Sequence, residues 1–453
     1  MGRAVHRWRL RVKREQLYGW GHTSPSVADV SEPGSEREVS DALRTNGFVL
    51  ARGLGRSYGD AAQLAGGHVL VNRLLTKISP LSSEGVITLG AGVSIDELLQ
   101  LSIPQGWFIP VTPGTRQVTI GGALAADVHG KNHHVDGSIG NHVLGLHLVT
   151  PSGAFDVSPN EQADVFWATI GGMGLTGVIT SATLQLLPIA SDHVVVDTLR
   201  FDNLDALMEE MVSHDNDYRY SVAWVDCMTK GASLGRSILT RGDHAPRSET
   251  TTLNGPTAPR LKVPFFAPSG LLNQVSIRAF NEAWFRRAPK ERSGELQSLS
   301  SFFHPLDGVS DWNRLYGKRG FVQYQFVVPD SHSDSVRKAI ELLSSSGVPS
   351  FLAVLKRFGV ANPSPLSFPL PGWTLALDMP VGPGALPSTL DHLDDLVLEA
   401  GGRIYLAKDS RLDPSKVRAM YPRLGEFQTI KERVDPSGVL ASDLSRRLEL
   451  LKR

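Results

Sequence analysis

Arg52-Gly53-Leu54-Gly55-Arg56-Ser57-Tyr58-Gly59-Asp60 follows the apolar run Phe48-Val49-Leu50, and the two together join a predicted strand to a glycine loop. The loop lacks both the Gly-x-Gly-x-x-Gly spacing of a dinucleotide-binding turn and the Gly-Lys-Ser/Thr ending of a P-loop. Its three glycines let main-chain N–H groups approach a pyrophosphate closely, while Arg56 adds a cation and Ser57 adds a hydroxyl. A tight surface turn explains this loop alone equally well.

Two further loops are also rich in glycine and small side chains. Residues 113–134 concentrate Gly, Ala and small polar residues in a way that neither an amphipathic helix nor an alternating strand explains. Gly171-Gly172-Met173-Gly174-Leu175-Thr176-Gly177 leads directly into the β-branched run Val178-Ile179-Thr180. Small side chains of this kind indicate a backbone that lies against a large flat ligand. Three such loops in one segment favour a ligand-binding cradle over chance turns.

Length and charge limit the class of protein. At 453 residues the chain exceeds the ~250–300 residues at which single cores stop growing, so two or so domains are expected. Its formal net charge is zero, which argues against nucleic-acid binding because that requires an extended basic face. The single cysteine, Cys227, excludes an internal disulfide and a thiolate metal cluster.

The N-terminal segment bears on location in the cell. No stretch approaches the ~18 apolar residues of a membrane span, and the N-terminus lacks the apolar core of a secretory signal. The first fourteen residues carry no acidic residue and six basic ones, namely Arg3, Arg7, Arg9, Arg11, Lys13 and Arg14. We expect a cytoplasmic or peripherally membrane-associated protein, and we interpret the basic segment as a frayed tail in preference to a membrane contact.

Local patterns predict strands and helices without a repeating βαβ period over residues 1–190. The expected elements are helices over 35–45 and from 95 through 101, and strands over 48–52, 69–72, 86–91, 143–150, 178–187 and 194–201. Ser94 and Glu97 have the spacing of a capping box. This order indicates an α+β fold, and the segment 188–192 marks a domain boundary.

The middle of the chain holds a segment without clear periodicity. Residues 241–263 combine Pro, Ser, Thr, Gly and charge, which predicts a mobile loop. The apolar segment 264–272, broken by proline and glycine, follows directly. It fits the mouth of a site for a lipid chain and an ordinary buried segment equally well.

These loops together resemble a known family of flavoproteins. The three glycine loops are similar to the FAD-binding domain of the vanillyl-alcohol-oxidase type, also called the PCMH type. Motifs outside that domain resemble one branch, the decaprenylphosphoryl-β-D-ribose 2-oxidases, which are the flavoprotein subunits of an arabinose epimerase. These motifs are His129-Gly130-Lys131-Asn132-His133-His134, Phe302-Phe303-His304-Pro305-Leu306-Asp307, Tyr324-Gln325-Phe326, Pro371-Gly372-Trp373 and Ala407-Lys408-Asp409-Ser410-Arg411.

The resemblance implies a two-domain α+β flavoprotein of the PCMH type with a mixed-sheet substrate domain. The expected division is an FAD-binding domain over residues 1–190, a substrate-binding domain over 191–402, and a C-terminal segment over 403–453 that returns to the FAD domain. The residues expected to bind FAD are Arg52, Gly53, Leu54, Gly55, Arg56, Ser57, Tyr58, Gly59, Asp60, Gly114, Thr115, Thr119, Ile120, Gly121, Gly122, Ala126, Asp127, Val128, His129, Ile179, Tyr405 and Lys408.

Hydride transfer from an alcohol carbon to a flavin suggests roles for several side chains. An ammonium group at Lys408 would stabilise negative charge arriving on the reduced flavin. His129 has an ordinary pKa suited to proton transfer, and Tyr58 and Gln325 complete the expected catalytic set. The expected substrate-binding residues are Lys131, Trp224, Arg314, Gln323, Gln325, Lys356 and Thr374, of which the cations would hold a phosphate. No metal site is expected, because the histidines at 129–142 lack acidic or thiol ligands at a recognised spacing.

Three positions depart from the family pattern. Arg56 stands where many members of the superfamily carry a histidine that bonds covalently to the flavin, so we expect non-covalent FAD. Thr374 and Ala376 stand where mycobacterial members of the branch have Asn and Cys, and loss of the thiol should abolish covalent trapping of activated nitroaromatic inhibitors. Phe303 replaces a usual tyrosine, which puts one polar substrate contact in doubt.

The function implied by the resemblance is oxidation of the 2-hydroxyl of a polyprenylphosphoryl ribose by an FAD-dependent oxidoreductase. A separate NADH-dependent short-chain reductase would complete epimerisation to the arabinose donor of cell-wall arabinan. Two alternatives stay open at this point. One is an aldonolactone or alditol oxidase that uses oxygen, of the D-arabinono-1,4-lactone oxidase kind, and the other is a non-catalytic partner subunit that holds flavin.

Overall fold

The computed structural model describes residues 11–45, 47–248, 252–382 and 384–452. Three of the six basic residues in the N-terminal segment, at positions 3, 7 and 9, therefore lie outside the described residues. The other three, Arg11, Lys13 and Arg14, are exposed. None of the helices within these ranges combines the length and the apolarity that a membrane crossing requires.

Two four-stranded sheets form from the described residues before position 190. The first mixes parallel and antiparallel ladders in the order Lys13–Leu17, Ser26–Ser31, His68–Val71, Val49–Arg52. The second is antiparallel in the order Val86–Gly90, Val178–Gln185, Val143–Thr150, Gly153–Val157. A short ladder pairs Trp107–Phe108 with Leu187–Pro188. The strands predicted from hydrophobic runs are confirmed within a few residues at each end.

Helix boundaries in this region follow local sequence signals. The helix Glu36–Thr45 buries Val39, Ala42 and Leu43, which have the three- and four-residue spacing of one helical face. The predicted capping box is confirmed, because Ser94 Oγ accepts from the Glu97 N–H at 3.1 Å and Glu97 Oε2 accepts from the Ser94 N–H at 2.7 Å. The other α-helices that the structure describes before residue 190 are Ile95–Ser102, Ile120–Ala125, His133–Asp136 and Ala163–Thr169.

A large sheet of eight described strands dominates the rest of the chain. Its order is Glu291–Ser298, His193–Phe201, Ser237–His244, Tyr220–Val225, Ala353–Phe358, Gly372–Pro380, Phe321–Pro329, Arg403–Ile404. Neighbouring strands in this sheet pair antiparallel, and a separate parallel ladder joins Leu261–Lys262 to Val309–Ser310. The α+β class is confirmed, and this region contains both antiparallel and parallel strand pairs.

Helices cover the large sheet and follow it to the C-terminus. Their bounds are Leu204–His214, Gln274–Arg287, Leu299–Phe303, Asp334–Ser346, Leu386–Glu399, Pro414–Met420, Leu424–Val434 and Asp443–Arg447. The expected mobile loop over 241–263 is shorter than predicted, because the strand Ser237–His244 stays paired up to His244 and Leu261 begins another ladder. Residues 249–251 of it lie outside the described chain.

The C-terminal segment contacts the first sheet. Val49 donates its N–H to Val439 O at 2.8 Å and accepts from the Ala441 N–H at 3.1 Å. Arg447 forms an ion pair with Asp60 at 2.8 Å. The same segment begins at Arg403–Ile404, which pairs with the large sheet. These contacts bring the chain end back beside the first glycine loop, and the division at residues 190 and 402 remains a proposal.

Candidate active site

A cavity of about 1350 Å³ lies between the glycine loops and one face of the large sheet. Its volume exceeds the ~300–1,000 Å³ of ordinary small-molecule pockets, so it has room for a dinucleotide and a second ligand. The sheet side is built from alternate residues of neighbouring strands, because side chains two apart share a face. Gln323 opposes Asp378 and Gln325 opposes Ala376 in the ladder, and all four line the cavity.

Bare backbone forms the opposite wall. A Cβ added at Gly53 would lie 2.1 Å from Thr119 Oγ1, and one at Gly55 would lie 2.1 Å from Arg52 Nη2. Gly55 also has φ of 65°, a left-handed conformation that favours glycine. The first two glycine loops therefore press against each other through positions where a side chain has no space. A flat dinucleotide fits such a cradle.

Two arginines hold the first loop in different ways. Arg52 donates to Ala62 O at 2.6 Å and to Tyr18 O at 2.8 Å, so its guanidinium is engaged by backbone. Arg56 donates to Gln117 O at 3.0 Å, and its guanidinium carbon lies 3.9 Å from the centroid of the Trp20 ring. Both line the cavity, and Arg56 contributes a stacked cation.

Most residues expected from the sequence do line this cavity. They are Arg52, Gly53, Leu54, Gly55, Arg56, Ser57, Tyr58, Gly114, Thr115, Thr119, Gly121, Gly122, Ala126, Val128, His129, Lys131, Ile179, Trp224, Gln323, Gln325, Lys356, Tyr405 and Lys408. Six do not reach its surface, namely Gly59, Asp60, Ile120, Asp127, Arg314 and Thr374.

The six residues outside the lining are engaged elsewhere. Gly59 packs on the Asp409 backbone, Asp60 pairs with Arg447, and Ile120 is fully buried in the core. Asp127 accepts from Ser138 Oγ, the Gly140 N–H and Asn362 Nδ2. These hydrogen bonds fix the second glycine loop on the side away from the cavity. Arg314 donates to Val263 O at 3.1 Å and to Pro264 O at 2.9 Å, so it braces a loop instead of facing the expected phosphate site. Thr374 lies beneath Gln325.

Gln325 connects Thr374 to His129. The Thr374 hydroxyl donates to Phe326 O at 2.8 Å and therefore must accept from Gln325 Nε2, which lies 2.9 Å away. That orientation turns the second N–H of the same amide toward His129 Nε2, at 3.0 Å. His129 is thus the tautomer with hydrogen on Nδ1. His129 Nδ1 and Gln325 Oε1 are buried polar atoms without a partner among the described residues.

Burial keeps His129 neutral. Its pKa is held well below the usual value by burial first and then by the nearby cations Lys356 and Lys408. Because Nε2 already accepts from Gln325, this environment does not favour the proton transfer that the sequence suggested for His129. The imidazole instead offers an Nδ1–H donor beside an acceptor, Gln325 Oε1.

Four lysines line the cavity, namely Lys131, Lys262, Lys356 and Lys408. Lys262 is exposed and lies 3.9 Å from Asp311, whereas Lys131, Lys356 and Lys408 form no ion pair with a residue that the structure describes. Lys131 donates to Phe302 O, with Nζ 4.1 Å from the ring centroid of that residue. Lys356 donates to Gly130 O at 3.2 Å. Burial lowers the pKa of Lys131 and the pKa of Lys356 to about 7. The positive charges of Lys408 and Lys131 also act to lower the pKa of Lys356. Converging buried cations without carboxylate partners are costly unless an anion compensates them.

Lys408 reaches the cavity beside Tyr58. The Tyr58 N–H donates to Ala407 O at 3.0 Å, and Lys408 Nζ lies 5.7 Å from the Tyr58 ring centroid and 6.0 Å from that of Tyr405. Tyr405 in turn donates to Ala126 O at 2.7 Å and so ties this segment to the second glycine loop. Burial lowers the pKa of Lys408, and Asp378 opposes that shift.

Asp378 is a site residue that the sequence reasoning missed. It is buried, lines the cavity, and accepts at Oδ1 from Gln323 Nε2, while Oδ2 has no partner in the described part of the chain. Burial raises the pKa of this carboxyl, which the amide of Gln323 and the cation of Lys408 partly offset. The one charged residue in the strand Gly372–Pro380, whose other residues are apolar apart from Thr374, is the signal that would have identified it.

The remaining histidines of the 129–142 segment point to separate partners. His133 Nδ1 accepts from the Gly359 N–H at 3.1 Å, His134 Nε2 lies 3.0 Å from Asp215 O, and His142 Nε2 lies 3.0 Å from Asp136 O. Each imidazole is thus occupied by a backbone group.

Among the positions that depart from the family pattern, Ala376 and Phe303 line the cavity.

Comparison with known proteins gives matches to two families. The FAD binding domain family matches residues 28–158, which include the first two glycine loops. The D-arabinono-1,4-lactone oxidase family matches residues 388–448. FAD is therefore the cofactor of this fold, and the glycine cradle on the cavity wall is where its flat dinucleotide fits.

Individual relatives cover most of the chain. It is 42% identical to the decaprenylphosphoryl-β-D-ribose oxidase of Mycolicibacterium smegmatis, over 96% of this chain and 98% of that protein. It is 38% identical to an uncharacterized protein in the mprA 5′ region of Streptomyces coelicolor, over 79% of this chain and all of that protein (100%). Alditol oxidase of a Streptomyces species is 21% identical over 94% of this chain and 97% of its own length.

Proposed function

The chain belongs to the decaprenylphosphoryl-β-D-ribose oxidase family, and from this premise we propose that it oxidises the 2-hydroxyl of a polyprenylphosphoryl-β-D-ribose to the 2-keto sugar. It is an FAD-dependent oxidoreductase that acts on CH–OH groups. The observation that carries the substrate proposal is the convergence of Lys131 and Lys356 on the cavity without ion-pair partners among the described residues. A sugar joined to a phosphodiester supplies the missing anion, whereas a free lactone or alditol does not.

FAD, when bound, supplies the two-electron acceptor for the hydride of the alcohol carbon. Lys131 and Lys356 bind the phosphate and so fix the sugar in the cavity. Gln325 Oε1 accepts a hydrogen bond from a sugar hydroxyl, and the His129 Nδ1–H donates one, which orients the reacting carbon. Thr374 holds the Gln325 amide in the orientation that this requires.

We assign the hydroxyl proton to Asp378. Its Oδ2 forms no hydrogen bond with a described residue, although the hydroxyl of Tyr316 lies near enough to this carboxyl to help lower its pKa. Burial still raises the pKa of Asp378, which brings its basicity closer to neutral pH, where a general base works best. Lys408 stands nearby as a cation that keeps Asp378 ionised and stabilises negative charge arriving in the cavity. Arg56 provides no nucleophile for a covalent link, and we propose that FAD is held non-covalently.

Anaerobic mixing of the purified holoenzyme with candidate substrates tests the proposal. We expect loss of the visible absorbance of oxidised flavin with polyprenylphosphoryl ribose, and no change with gulonolactone, with xylitol or with the same ribose lacking the phosphate. Reduction of the flavin by gulonolactone or xylitol alone would favour the aldonolactone or alditol oxidase alternative. The match of residues 388–448 to the D-arabinono-1,4-lactone oxidase family is the observation that supports this alternative.

Lysine variants separate phosphate binding from hydride transfer. Lys131→Met with Lys356→Met should raise the substrate concentration for half-maximal reduction at least tenfold, since each charge-assisted hydrogen bond is worth about 1.5–3 kcal/mol. The limiting rate should change much less. Lys77→Met, at an exposed lysine outside the cavity, is the matched control and should behave as the parent enzyme.

The keto product implies a second enzyme. Epimerisation to the arabinose form requires return of hydride to the opposite face, and we propose a separate NADH-dependent short-chain reductase for that step in the supply of cell-wall arabinan. Adding such a reductase with NADH to the oxidised product should yield the arabinose epimer. Return of the ribose form alone would contradict this assignment.

A further inference from the structure

Exposed apolar side chains are concentrated in the helix Gln274–Arg287 and in the segment that precedes it. Within residues 261–284, six large apolar side chains are exposed, namely Leu261, Phe265, Leu271, Val275, Phe280 and Trp284. Phe265 is 72% exposed and Val275 is 78% exposed. The described chain exposes ten other large apolar residues, and these are scattered between Val12 and Val360. Six exposed large apolar side chains within 24 residues favour a contact surface, because exposed apolar residues of soluble proteins are normally scattered singly.

Basic residues accompany these side chains. Residues 260–287 contain five exposed cations, namely Arg260, Lys262, Arg278, Arg286 and Arg287. The same stretch has one acidic residue, Glu282, which is already paired with Arg236 at 2.7 Å and with Arg286. We call the six apolar and five basic side chains the docking face. Its positive charge stands out because the whole chain has no net charge.

The docking face is continuous with the active-site cavity. Phe280 and Trp284 are half exposed and also line the cavity, with their rings stacked at a centroid distance of 6.1 Å. Phe280 contacts the ring of Phe351 at 5.7 Å, and Phe351 lines the cavity as well. We call the rings of Phe280, Trp284 and Phe351 the aromatic path. Tyr58 and Lys408 line the same cavity.

We propose that the docking face rests on an anionic lipid bilayer and that the aromatic path guides the prenyl chain of the substrate from the bilayer into the cavity. This inference rests on the proposed function for the identity of the chain. The charge is complementary to an anionic surface, where each basic residue contributes about 1 kcal/mol. The exposed aromatic and aliphatic side chains suit the boundary between head groups and acyl chains. A protein seated on the same face would close the entry that Phe280 and Trp284 line.

Vesicle binding by the full-length holoenzyme tests the docking face without any substrate. We expect co-sedimentation with vesicles of phosphatidylglycerol and phosphatidylcholine, and at least tenfold weaker binding to phosphatidylcholine alone. The double variant Phe265→Asp with Val275→Asp should lose at least tenfold in affinity for the anionic vesicles. Neither residue lines the cavity, so oxidation of a short-chain, water-soluble prenylphosphoryl ribose should be unchanged.

A matched control uses exposed apolar residues elsewhere. Leu144→Asp with Val360→Asp should bind vesicles as the parent enzyme does. Equal vesicle binding by F265D/V275D and the parent, or no binding by the parent, would overturn the proposal. A change from dimer to monomer in F265D/V275D without any vesicle effect would also overturn it, by assigning the face to a second copy. Failure to oxidise the soluble substrate is a separate result that contradicts the proposed function and leaves vesicle binding to be judged independently.

Discussion

The amide nitrogen of Gln325 lies 3.0 Å from Nε2 of His129. Since the hydroxyl of Thr374 donates to Phe326 O, it can only accept from Gln325, and the amide cannot turn over without placing two acceptors together. One threonine thereby determines which nitrogen of a buried histidine carries hydrogen. The pair presents one donor and one acceptor to a bound sugar.

Removing the hydroxyl of Thr374 should weaken this arrangement. We expect Thr374→Val to lower the rate of flavin reduction about tenfold, because an unsatisfied buried group costs about 1–3 kcal/mol and 1.36 kcal/mol is a factor of ten. FAD affinity should be unchanged, and Thr374→Ser should restore the rate. A Val variant with the parent rate would show that the amide does not depend on Thr374.

Replacing Asp378 tests the proposed base. Asp378→Asn should slow anaerobic flavin reduction by about 10²–10⁴-fold, the range for loss of general base catalysis, while FAD remains bound. In the parent enzyme, the rate should fall as pH drops because Asp378 becomes protonated, and this dependence should vanish in the variant. Asp391→Asn, at a carboxylate whose side chain is 63% exposed, is the control. An unchanged pH profile in D378N would assign the proton to another group.

Binding of a phosphorylated ligand should take up protons. The pKa values of Lys131 and Lys356 are about 7, so both are largely neutral at pH 8 in the free site. A bound anion favours the charged ammonium and raises these pKa values, so affinity should weaken as pH rises above about 7. Calorimetric titration of the holoenzyme with farnesyl phosphate at pH 8, in two buffers of different ionisation enthalpy, measures the uptake. Equal heats in both buffers would contradict the phosphate assignment.

Ala376 determines the response to nitroaromatic inhibitors. It lines the cavity opposite Gln325, and the only thiol of the chain, Cys227, is fully buried with a raised pKa. Turnover with an activated nitroaromatic compound should therefore leave the intact protein mass unchanged. Ala376→Cys should yield a covalent adduct of one inhibitor per chain. An adduct on the parent enzyme would show that some other group reacts.

Features encoded locally were predictable from the sequence, and those created by strand pairing were not. The capping box at Ser94 depends on neighbouring residues, and the cradle around Gly53 depends on the conformations that glycine allows. Both could therefore be predicted from the local sequence. Asp378 escaped notice because its role arises from a ladder that places it opposite Gln323, far away in the chain. Arg314 was misjudged for the opposite reason, since a cation in a plausible motif is here engaged by backbone carbonyls.

Deuterium at the reacting carbon tests the central claim most directly. Holoenzyme mixed anaerobically with polyprenylphosphoryl ribose should lose its oxidised flavin absorbance, and the loss should slow with deuterium at C2 of the ribose but not with deuterium at C3. Equal rates for the C2-deuterated and unlabelled sugars, under conditions where the bleaching step is rate-limiting, would contradict hydride transfer from C2. Absence of bleaching by either sugar would contradict the proposed reaction altogether.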